Sequence, residues 1–112
     1  MRFLEDDLQM AVAKYLDFQG IFWCHVANER NTSFVKGARL KKKGVKSGVP
    51  DCLIFEPRGL YAGLAIELKI KPNKVSLNQK EWLTRLNNNK WSAHKAYSFD
   101  EAKEIIDNYL KI

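Results

Sequence analysis

No apolar run in the chain approaches the roughly twenty residues that a membrane-crossing helix needs, and no secretory pattern opens it. A soluble, intracellular protein, cytoplasmic in location, is expected. Cysteine is scarce: Cys24 and Cys52 are the only two. Both lie in apolar runs without histidine at ligand spacing, which excludes a disulfide framework and makes a poor zinc site. They are expected as buried free thiols. Nothing resembles a phosphate-binding P-loop, so no nucleotide cofactor is implied. No repeat, low-complexity tract or linker interrupts the 112 residues, and 46% of them are hydrophobic. Residues 1–112 therefore read as one domain with a modest core.

Acidic residues are nearly missing from one stretch. Between Asn28 and Lys46 stand Arg30, Lys36, Arg39, Lys41, Lys42, Lys43 and Lys46 against Glu29 alone. This stretch accounts for the whole net charge of +6, and the rest of the chain is balanced. A charge run can be a solvated loop or a docking arm for a protein. The glycines 37, 44 and 48 and the acidic residues that follow favour contact with a nucleic-acid backbone instead. Few aromatics interleave with the run, which points to phosphates rather than stacked bases.

What is present is a succession of clear periodicities. Phe3, Leu4, Leu8, Val12, Tyr15, Leu16 and Phe18 recur at helical spacing, and Gly20 ends that helix. Residues 21–27 form a strand-like run, and residues 28–50 read as a long basic loop. Cys52–Phe55 and Leu64–Ile70 read as a hairpin joined through Pro57, Gly59 and Gly63. Ser76 with Gln79 forms a capping box for a second helix, followed by a strand over 91–97. Ser98 with Glu101 opens a final amphipathic helix. The order αβββαβα predicts an α/β fold, a mixed β-sheet flanked by helices.

The chemistry concentrates on the hairpin. Alternation along the second strand places Glu67 and Lys69 on one face, with Ile66, Leu68 and Ile70 on the other. Pairing brings Asp51, next to Pro50 at the start of the first strand, beside Glu67. Two carboxylates suit a divalent cation that takes oxygen ligands, and a neighbouring ammonium suits phosphodiester hydrolysis. Acid–x–Lys on a strand is also a common surface ion pair. His25 and His94 stand apart from the carboxylates in sequence and read as strand residues. Trp23, Trp82 and Trp91 read as core.

The ordered set Glu5, Gly48-Val-Pro-Asp51, Ile66-Glu-Leu-Lys69 and Ser76-Leu-Asn-Gln79 resembles the PD-(D/E)xK nuclease superfamily. Within it, the chain is similar to the virus-type replication-repair nucleases (VRR-NUC), in the stand-alone form of phages and bacteria. The resemblance implies a restriction-endonuclease-like core and Mg²⁺- or Mn²⁺-dependent DNA cleavage, with four-way (Holliday) junctions as substrate. It implies Asp51, Glu67 and the backbone carbonyl of Leu68 as metal ligands, Lys69 as the catalytic lysine, and Glu5 reaching the metal through water. Gln79 matches the glutamine that orients the lysine or a phosphate. Glu5 also suits a helix N-terminus without any metal, and Gln79 already serves its cap. Lys71 and Lys74 offer a second phosphate contact or a solvated turn. A junction needs two symmetric cuts, so a homodimer is expected. Cleavage of flaps, nicked or duplex DNA, and a non-catalytic DNA-binding module with a vestigial site, stay open as alternatives.

Overall fold

The structure, a computed structural model, describes residues 4–27 and 33–112. Helix α1 (Leu4–Phe18) begins with Glu5, Asp6 and Asp7, whose charges favour the positive end of the helix dipole. Leu8, Val12 and Leu16, four residues apart, form its buried stripe. Its end is a Schellman turn: Gly20, at φ 68°, donates to the Asp17 carbonyl, and Ile21 donates to that of Leu16. Strand β1 (Trp23–His25) follows, shorter than the run of residues 21–27 suggested.

The basic segment contains a helix, α2 (Phe34–Lys42), where a loop was expected. Ser33 caps it by accepting from the Lys36 N–H at 3.1 Å. A second Schellman turn closes it, with Gly44 donating to Lys41 and Val45 to Leu40. Lysine and arginine propagate a helix well and suit its C-terminal end. No apolar stripe announces α2 in the sequence because it buries none of its residues.

Strands β2 (Cys52–Ile54), β3 (Gly63–Leu68) and β4 (Trp91–Ala96) join β1 in one four-stranded sheet of order β1-β2-β3-β4. The first two pairings are antiparallel and β3–β4 is parallel, so the sheet is mixed, as expected. The hairpin register sets Cys52 opposite Ile66. The parallel crossover runs through α3 (Leu77–Asn88), and α4 (Phe99–Leu110) completes the chain. The observed order is αβαββαβα, the expected one with α2 added.

Both later caps form. The Ser76 hydroxyl accepts from the Gln79 N–H and the Gln79 side-chain Oε1 accepts from the Ser76 N–H, a complete capping box. Ser98 caps α4, but the Glu101 carboxylate takes the N–H of Tyr97 rather than that of Ser98.

The sheet has two unlike faces. Leu64, Ile66 and Leu68 point into a core with Leu8, Val12 and Leu16 of α1 and Ala102, Ile106 and Tyr109 of α4. Each fully buried Leu or Ile there contributes about 1.5–3 kcal/mol. The face toward α3 carries small residues, Gly63, Ala65 and Ala93, and then Glu67 and Lys69. At Gly63 a Cβ would lie 2.6 Å from the Trp91 ring, so the indole packs into the space this glycine leaves. Helix α3 buries none of its residues completely, which leaves this face partly open.

Two expectations about side chains are corrected. Cys52 is buried, but Cys24 is exposed because β1 is the sheet edge and one of its faces lies open. None of the three tryptophans is fully buried: Trp23 packs at the margin of the core and donates to Asp17 at 2.8 Å. Trp82 and Trp91 line an open cavity beside α3. Among the described residues no helix is long and apolar enough to cross a membrane.

Candidate active site

Five residues meet where the start of β2, the end of β3 and the first turn of α3 converge. Asp51 is held on both sides: its carbonyl accepts from the Val26 N–H at 2.8 Å, and its Oδ2 accepts from the Leu68 N–H at 2.8 Å. Its side chain is thereby aimed at the end of β3, where Glu67 points to the same face. Lys69 Nζ lies 3.9 Å from Glu67 Oε2, and Gln79 Nε2 donates to the same oxygen at 2.9 Å. The capping box thus has a second use, because Gln79 spans the helix cap and the carboxylate with opposite ends of one amide. Gly48 allows this approach: at φ 93°, its missing Cβ would lie 2.7 Å from the Asn78 carbonyl carbon. Ser47 accepts from Asn78 at 2.8 Å, tying the segment that leads into Asp51 to α3.

The electrostatics are unusual for a strand ion pair. Glu67 is 1% exposed and Lys69 8%. Burial first, and then the charge of Asp51, push the Glu67 carboxyl up to about 8, with Lys69 opposing the rise. Glu67 Oε1 is buried and has no hydrogen-bond partner. A buried carboxylate oxygen without a donor is costly, and one facing a second carboxylate is costlier still. A surface ion pair would show neither feature.

Asp51, Glu67, Leu68, Lys69 and Gln79 are therefore brought together. Glu5 lies in the first turn of α1 and adds a small upward push on Glu67. Among the described residues no three His, Cys, Asp or Glu side chains form a metal-holding group, so the acidic centre is a pair. Both histidines are strand residues, as expected, His25 on β1 and His94 on β4. His25 Nδ1 lies 2.9 Å from the Asp51 carbonyl, so this residue flanks the site although 26 positions separate the two. Only the β1–β2 register, which sets His25 opposite Cys52, reveals that proximity.

Of the basic residues, Lys36, Arg39, Lys41 and Lys42 lie on α2 and Lys43 is its C-cap. All five are exposed. Lys46 stands beside α3, while Lys71 and Lys74 are exposed on the link from β3 to α3. Lys71 Nζ sits 5.8 Å from the Tyr97 ring centre. Arg30 lies outside the described residues.

The VRR-NUC domain family matches residues 5–100, a span holding every residue of this constellation. The chain belongs to the VRR-NUC family. A solved structure described as a VRR_NUC domain protein superposes with a TM-score of 0.83 at 29% identity, covering 96% of this chain and 88% of the other. A second, described as a VRR_NUC domain, shares the fold with a TM-score of 0.66 at 20% identity, over 94% and 96% of the two chains. No curated protein matches the chain. The mixed sheet and its flanking helices are thus the VRR-NUC fold, and the domain is a nuclease domain.

Proposed function

We propose that this VRR-NUC domain is a divalent-metal-dependent endonuclease that cuts branched DNA, with four-way junctions as its preferred substrate. The observation that carries the metal dependence is Glu67 Oε1, buried without a partner beside Asp51. A cation supplies the partner this oxygen lacks. Two carboxylates and a backbone carbonyl are hard oxygen donors, the set that suits Mg²⁺ or Mn²⁺ rather than a softer metal. Asp51, Glu67 and the Leu68 carbonyl would hold the ion, with Glu5 reaching it through water. The ion supplies Lewis-acid activation and neutralises charge on the phosphate.

The protein's own groups do the remainder. Gln79 and Lys69 fix Glu67 Oε2 from two sides, so the carboxylate keeps one orientation. Lys69 brings a positive charge to the face where the phosphate binds and offsets the charge that grows in the transition state. Water adds to phosphorus in line with the departing 3′-oxygen. The P–O3′ bond breaks, the new P–O bond leaves a 5′-phosphate, and the proton released by the water balances the one taken by the 3′-hydroxyl. The exposed cations of α2, with Lys46, Lys71 and Lys74, bind the flanking phosphates.

The described residues provide one such carboxylate pair, and symmetric cuts across a junction call for two. A two-fold homodimer is the assembly that meets this need. The test is a panel of end-labelled substrates: four-way junction, flap, nicked duplex, intact duplex and single strand. Each is incubated with Mg²⁺, Mn²⁺ or EDTA, with Glu67→Ala as control. Paired nicks on the junction, absent with EDTA and with the variant, are expected. Metal-dependent cutting of another substrate would replace the junction preference, and tight binding without cutting in either metal would overturn the nuclease reading for this chain.

A further inference from the structure

The first turn of α3 serves the carboxylates, and the next turns line something else. Trp82, Arg85, Leu86 and Asn89 of α3 and its cap, with Lys46 and Trp91, surround an open cavity of about 500 Å³. That size is ordinary for a site taking a small planar group. Two indoles and a leucine supply flat apolar surface. Trp91 is held in place edge-on to Phe55, with ring centres 6.0 Å apart, and over Gly63. Lys46 and Arg85 supply positive charge against the single carboxylate of Glu81, and Asn89 adds an amide. Aromatic faces beside phosphate-binding cations are the composition of a single-strand nucleotide site. Intact duplex shows base edges in its grooves and no base faces, so the indoles would have nothing to stack on.

The cavity and the active site share helix α3. Gln79, on Glu67, and Arg85, on the cavity, are six residues apart on one helix, about 9 Å along its axis. Lys46 is followed by Ser47 and Gly48, which pack on Asn78, and then by Asp51. With strand phosphates about 3.4 Å apart along a duplex axis, this span is within about three nucleotides.

We infer that the Trp82–Trp91 cavity receives an unpaired nucleobase of the DNA, within about three nucleotides of the cut. The inference rests on the DNA-cleaving function above, and it names the feature selected: a base out of the stack at a branch point. The excess positive charge near Lys46 favours this occupant over an apolar peptide.

The test measures binding in EDTA, so cleavage does not enter it. Tryptophan emission and affinity are compared for a duplex with a three-nucleotide single-stranded gap and for the same duplex intact. Wild-type protein should show saturable quenching with the gapped DNA and little with the intact one. Trp82→Ala should weaken gapped binding about tenfold or more, leave intact-duplex binding within about twofold, and be largely rescued by Trp82→Phe. Equal quenching and affinity for both DNAs in the wild type would overturn the proposal. So would a Trp82→Ala variant that binds gapped DNA normally or loses both DNAs alike. If the alanine variant does not fold, the wild-type comparison decides alone. Wild-type cleavage without gap discrimination would leave the nuclease and remove the base site. Discrimination without cleavage in Mg²⁺ or Mn²⁺ would do the reverse.

Discussion

At the scale of single residues, Glu67 carries more consequences than any other side chain. Its carboxyl is raised to about 8 by burial and by Asp51, so without metal the folded state holds a proton that the unfolded state releases near 4.5. Between those two values the native protein binds more protons than the unfolded chain, and stability falls as pH rises. Glu67→Gln keeps the shape, removes the charge and should raise the melting temperature in EDTA at pH 8 by at least about 4 °C. The gain should shrink toward pH 5, and added Mn²⁺ should no longer stabilise the variant. Thermal melts at the two pH values read this directly, and a variant that melts below wild type at pH 8 in EDTA would contradict it. Lys69 has a different signature. Lys69→Ala should reduce single-turnover cleavage at least about a hundredfold while leaving junction affinity nearly intact. Binding and cleavage falling together would make Lys69 a DNA contact rather than a catalyst.

At the scale of elements, legibility followed burial. The hairpin, α1, β4 and α4 declare themselves in sequence because each sets apolar residues against the core, and α3, which buries none of its residues, is announced by its Ser76–Gln79 capping box instead. The Asp51–Glu67 pairing was legible for the same reason: alternation along β3 fixes which face Glu67 takes. Helix α2 left no such trace, since nothing in it is buried and its helicity comes from propensity and two end caps. The same limit hid His25, whose closeness to Asp51 depends on a strand register, and the Trp82–Trp91 cavity. A tryptophan at helical spacing looks alike in sequence whether it fills a core or walls an opening. That α2 presents its cations on an exposed helical surface has a measurable outcome. Exchanging Lys41, Lys42 and Lys43 together for Gln should weaken junction binding and reduce the slope of log affinity against log salt by up to about 2.7. An unchanged slope would assign the helix to a protein partner instead.

At the scale of the whole molecule, the sheet sorts its two faces by task. One face is closed by α1 and α4 and holds the fold together. Among the described residues the other is covered by α3 alone, which leaves room for the buried carboxylate at one end and the indole-lined cavity further along. The basic segment approaches from beside the same helix through Lys46–Gly48, so charge, chemistry and cavity lie along one path. On the proposed reading, one such site per chain would serve one strand and a paired copy the second. The most direct measurement uses a supercoiled plasmid that extrudes a cruciform, incubated with wild-type protein and Mg²⁺ or Mn²⁺. Two coordinated cuts within one complex should convert it to linear DNA, with EDTA or Glu67→Ala leaving the plasmid supercoiled. Cutting that persists in EDTA or in the Glu67 variant, or no cutting with either metal, would contradict the metal-dependent junction nuclease at the centre of this account.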